Sequence, residues 1–171
     1  MANSAGDVIA SLSAVRPFGA AGAATPDNRA TFQVWDFAPA STEFAFLGGR
    51  MRGWDDSSDF LVRFIWTAST AVAGDGTQTR WEIAFWLLDD DGDDIDAGWN
   101  GAASQGVSVT PPAVCGDPCY TEIPFTAAQI NGITNGKAFR IMVHRDHDHA
   151  DDDMAGDAEL WADSFEIIAD P

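Results

Sequence analysis

The sequence predicts an all-β protein: an antiparallel β-sandwich of about eight strands, jelly-roll-like, with an extended or flexible N-terminal arm. Three observations carry that expectation. From Thr31 onward, apolar residues recur at every second position, the period of a half-buried strand. Clusters of Gly, Asp, Asn and Pro separate the alternating runs. Helical spacing is confined to one short segment, so the strand–helix alternation that builds parallel sheets is missing.

Residues 1–30 are rich in Ala, Gly and Ser, and "AAGAATPDNRA" reads as an arm with too few large side chains to form a layer. The sandwich is then expected over residues 31–171. In "TFQVWDF", Phe32, Val34 and Asp36 share one face and Gln33 and Trp35 the other. "STEFAFL" supplies a second run. "DFLVRFIWTA" places Phe60, Val62, Phe64 and Trp66 together, and "TRWEIAFWLLD" does the same for Trp81, Ile83, Phe85 and Leu87. "QGVSVT" and "CYTEIPF" are shorter strands. "AFRIMVHRD" and "AELWADSFEII" complete the set, with Phe139, Ile141, Val143, Phe165 and Ile167 expected to point into the same core. Between them "TAAQINGI" has capping-box spacing at Thr126 and Gln129, but Gly132 limits any helix to a turn or two. Long connections favour a jelly roll over a closed up-and-down barrel. No repeat at 20–50 residue spacing suggests a propeller or solenoid.

The hydrophobic fraction is 46%, enough for a core. There are 27 acidic and 9 basic residues, a net charge of −18. That field repels a phosphate backbone and anionic lipid, so neither nucleic acid nor membrane is an expected partner. No apolar run of about 18 residues offers a transmembrane helix. The N-terminus lacks a basic region before an apolar stretch, which predicts synthesis in a cytoplasm.

Two acidic runs deserve weighing. "DDDGDDID" makes Asp89, Asp91 and Asp93 candidate cation ligands, because calcium prefers clustered carboxylate oxygens. Its glycine is misplaced for an EF-hand, and Asp and Gly are also ordinary turn residues. "HRDHDHADDDMAGD" holds all three histidines, with Asp146, Asp148 and Asp151 as further cation candidates. Carboxylate density there suits a structural calcium better than a catalytic zinc, which needs ligands converging from rigid elements. No cofactor is expected otherwise. With every histidine in one six-residue segment and no strained serine elbow, a nucleophilic triad cannot be assembled, and the chain is not expected to be an enzyme. Phosphate-binding glycine loops are missing too. Cys115 and Cys119 fit either a tight disulfide or two thiols. Trp54 and Trp99, each set among turn residues, and Phe18 in the arm are candidate interface residues; the alternative for the tryptophans is that they close the end of the sandwich.

"FIWTASTA", "WEIAFWLLDD", "TEIPFTAAQINGI", "FRIMVHRD" and "DDDMAGDAELWADSFEI" together resemble small jelly-roll virion proteins of tailed, especially marine, bacteriophages. The most specific piece is a strand ending in Arg-Asp, an Asp-rich loop, and "MAGDAEL" opening the last strand. The resemblance spans about residues 32–168 and brings no catalytic or ligand residues with it. It implies a capsid decoration or cement protein, made in the host cytoplasm and bound to the major capsid protein, with a trimer favoured by the three-fold positions of capsid lattices. A tail-associated receptor- or carbohydrate-binding module is the alternative.

Overall fold

The computed structural model describes residues 7–15, 22–70, 77–88, 101–130 and 132–169. Twelve strands occur among them: β1 (Val8–Ser11), β2 (Ser13–Val15), β3 (Thr25–Arg29), β4 (Phe32–Phe37), β5 (Glu43–Arg50), β6 (Phe60–Ala68), β7 (Thr79–Leu88), β8 (Gln105–Val109), β9 (Cys119–Phe125), β10 (Ala138–Arg145), β11 (Ala158–Trp161) and β12 (Glu166–Ala169). One sheet runs β1-β12-β6-β11-β4-β3 with β9 on the other edge of β6, and the second runs β2-β5-β10-β7-β8. All strand pairs are antiparallel.

If β11 and β12 are taken as one interrupted strand, the eight long runs foreseen in the sequence order themselves as β4-(β11/β12)-β6-β9 on one sheet. The other sheet is β5-β10-β7-β8. That alternation between sheets is the double Greek key of a jelly roll. The short helix expected there forms as a single 3₁₀ turn, Ala127–Gln129, with the Gln129 side chain accepting from the Thr126 N–H at 2.8 Å.

The inward-facing set agrees with the strand period. Phe60, Val62, Phe64, Trp66, Trp81, Ile83, Phe85, Phe139, Ile141, Val143, Phe165 and Ile167 all lie in one buried cluster. Two aromatic knots fill it. Trp81 meets Phe37, Phe64 and Trp66 edge-on at centroid distances of 5.1, 5.4 and 5.6 Å. Phe85 contacts Phe60, Phe125 and Phe139 at 5.7, 4.9 and 5.6 Å. Trp86, expected on the outer face of β7, is buried as well.

Strand pairing begins before residue 31, where the sandwich was expected to start. In its described parts the N-terminal segment is extended, and its strands add to sheet edges: β1 on β12, β2 on β5 and β3 on β4. Ile9 and Ala24 are each only 1% exposed, so the segment contributes one large and one small apolar side chain to the core. Edge strands need only main-chain partners, which is why a stretch poor in large side chains can serve.

Candidate functional site

The Asp-rich loop between β10 and β11 is built around a buried cation. Arg145 continues the inward series of Phe139, Ile141 and Val143, and its side chain is 1% exposed. Asp152, at 2%, faces it with a forked contact: Nε to Oδ2 at 2.9 Å and one terminal nitrogen to Oδ1 at 2.6 Å. The remaining guanidinium hydrogens go to the carbonyls of Gly156 at 2.7 Å, Phe37 at 3.4 Å and Met154. The same loop is stitched to the start of β7: the Arg80 N–H donates to Asp152 Oδ2 at 2.8 Å and the Gln78 N–H to Asp153 Oδ1 at 2.6 Å. Two of its carboxylates thus work as hydrogen-bond acceptors of the fold.

Two of this loop's cation candidates point elsewhere. Asp148 is 84% exposed beside His147, with Nε2 to Oδ1 at 3.2 Å. Asp151 accepts from Ser108 Oγ at 3.1 Å. Among the described residues, no group of three or more His, Cys, Asp or Glu side chains is placed to hold a metal ion. His144 is held against Glu82, Nε2 to Oε2 at 3.6 Å, and burial pushes its pKa below the ordinary value. Asp89, Asp91, Asp93, Trp99 and Phe18 lie outside the described residues. Trp54 follows the alternative weighed for it: it is 3% exposed, packs edge-on against Phe60 at 5.6 Å, and donates from Nε1 to the Ser58 carbonyl at 3.2 Å. It caps the end of the sandwich because Gly53, at φ +70°, turns the chain back over the core. Cys115 and Cys119 are free thiols.

A carboxylate pair crosses β4 and β11, where Asp36 stands opposite Glu159. Glu159 is engaged by Arg29. Burial, and then the charge of Glu159, raises Asp36 from 3.8 to about 6. Since the folded state prefers the neutral acid, the stability Asp36 contributes is complete below its ordinary pKa and disappears as pH rises through about 6. Asp36→Asn, which keeps the neutral shape, should therefore raise the melting temperature more at pH 7.5 than at pH 4.5 (about 3 pH units apart). His144 titrates in both proteins, and its opposite loss on acidification cancels in the difference. A shift that is equal at both pH values would show that Asp36 is not raised.

The outer face of the first sheet carries a groove that sequence reasoning missed. It arises where β11 gives way to β12. The seven steps from Leu160 to Ile167 face only four on β6, from Trp66 to Val62, so residues 162–165 bulge out of the ladder. Ser164 repairs the break: its Oγ accepts from the Ile65 N–H at 2.9 Å and lies 2.8 Å from the Trp161 carbonyl, to which it donates. Beside the bulge, Trp161 stacks on Phe32, with ring centroids 4.6 Å apart and planes within 11°. Across the floor at Ile65, the next strand presents Tyr120 opposite it in register. Phe32 is 50% exposed and Tyr120 66%. Arg63, Asp163, Glu166, Gln33 and Thr31 complete a groove of about 640 Å³. Arg63 is already engaged by Glu122 at 2.5 Å and approaches Glu166 at 4.0 Å. Single exposed apolar side chains are ordinary, but a contiguous aromatic row on a concave surface with polar rims is the pattern of a binding site.

No family model matches the chain, and no curated protein matches it. Among solved structures, the carbohydrate-binding module TmCBM27, described for specific mannan recognition, is similar in fold at 11% sequence identity and a TM-score of 0.41. That alignment covers 95% of this chain and 90% of the other.

Proposed function

We propose that this chain is a non-catalytic binding module of a virion, which meets a receptor or carbohydrate surface through the groove beside the β11–β12 break. The observation that carries this reading is the stack of exposed Phe32 on half-buried Trp161, with exposed Tyr120 across Ile65. Aromatic side chains give large contact area for little ordering entropy, and their exposure calls for a partner. The rigid jelly roll supports the reading further, since the groove is shaped by strand registers. Virion membership is supported by the sequence resemblance, whose acidic motif "RDHDHADDDMAGD" builds the Arg145 cage and so belongs to the fold. The test is competition: excess purified chain should block adsorption of the virions that carry it, and the Tyr120→Ala chain should not. Equal blocking by both would sink the groove as the contact surface.

A second reading, decoration of the head shell as a trimer bound to the major capsid protein, draws on the same resemblance. The charge of −18 favours it, because it suits docking on basic shell patches. Copy number separates the two. Quantitative mass spectrometry should find a few copies per virion for a tail-associated binder, against hundreds for a decoration protein.

A further inference from the structure

We propose that the groove is a saccharide site selective for neutral glycans. The inference rests on reading the groove as a contact surface and adds the chemistry of its ligand. A pyranose ring presents an apolar C–H face and a rim of hydroxyls. The groove offers both complements: the exposed rings of Tyr120 and Phe32 for the apolar face, and the side chains of Gln33, Asp163 and Glu166 as acceptors or donors for hydroxyls. Its volume of about 640 Å³ lies within the usual range of small-ligand sites.

Charge decides which glycans fit. Arg63 is the cation among the lining residues, and it is already held by Glu122, Nε to Oε1 at 2.8 Å. The carboxylates of Asp163 and Glu166 line the same surface, within a chain of net charge −18. A uronate or sulfated sugar would therefore meet like charge with no free counterion, at a cost in affinity and in encounter rate. A neutral sugar meets no such barrier, because carboxylates accept hydrogen bonds from its hydroxyls.

The experiment is affinity electrophoresis of the full chain through gels containing laminarin, galactomannan or alginate, with a proline-rich peptide as the non-glycan control in solution. Laminarin or galactomannan should retard the chain and alginate should not. Tyr120→Ala should weaken retardation about tenfold or more, as truncating a stacking anchor does, and Phe32→Ala should weaken it too. Because Tyr120 is 66% exposed, its variant should keep the wild-type melting temperature, which separates lost stacking from lost folding. Retardation by alginate alone, by none of the polymers, or equally for both the wild type and Tyr120→Ala overturns the proposal. So does binding of the proline-rich peptide in place of any polymer. If Tyr120→Ala abolishes competition for adsorption while no neutral polymer retards the chain, the contact surface stands and the glycan class falls. If competition survives in that variant but retardation is lost, the saccharide site stands and its role in adsorption falls.

Discussion

Replacing Asp152 by alanine should cost about 3–5 kcal/mol of folding stability, the loss expected when a buried ion pair is broken from one side. Arg145 would remain at 1% side-chain exposure with its forked partner gone, and three carbonyls cannot neutralise a guanidinium. The Arg80 N–H would lose its acceptor in the same step. Asp148→Ala, in the same loop but 84% exposed, should change stability by no more than about 0.5 kcal/mol. Urea unfolding followed by tryptophan fluorescence measures both as shifts in midpoint at constant slope. Similar midpoints for the two variants would mean that the loop is the solvated connection its composition suggests, with no structural centre.

Phe85→Ala should be as severe, about 3–5 kcal/mol, because the ring is fully buried and its removal leaves a cavity between the sheets. Phe60, Phe125 and Phe139 all lean on it from three other strands, so no single neighbour can collapse into the space. Phe64→Ala should approach the same value through its stack on Phe165 at 5.1 Å and its contact with Trp81. An unchanged midpoint for either variant would put the strand phase off by one residue, which would turn the whole inward set to solvent.

The long strands were legible because period two survives wherever one face of a sheet is buried. Runs such as "FLVRFIW" state their own inward face, and the burial along β6 follows it. β1, β2 and β3 were not legible. They sit on sheet edges and are held by main-chain pairing; β1 and β2 are three or four residues long, too short to show a period, and "TPDNR" shows no alternation to detect. Two features could have been found. Arg145 continues the series Phe139, Ile141, Val143, and a charge at an inward position demands a counterion nearby, which the aspartates of the next loop supply. In "AELWADSFEII" the inward parity passes from even positions at Ala158 and Leu160 to odd ones at Phe165 and Ile167. That change of phase announces the break that makes the groove. Tyr120, Trp161 and Phe32 were hidden for a different reason. They lie far apart in sequence, and only the order of the strands places them in one row.

Trp54 shows the converse. Its turn-rich neighbourhood left exposure and a lid over the core equally open, and the turn serves to fold the indole over Phe60. Composition around a residue describes the backbone's freedom, and burial is decided by what the backbone brings it against.

The proposed contact surface can be mapped directly by hydroxyl-radical footprinting of the full chain, alone and bound to envelope vesicles from the host that the proposed virion role implies. Tyr120, Phe32 and Trp161 should each lose reactivity on binding, while His147 and His149 in the acidic loop keep theirs. Protection centred on that loop, with Tyr120 as reactive as in the free chain, would contradict the account.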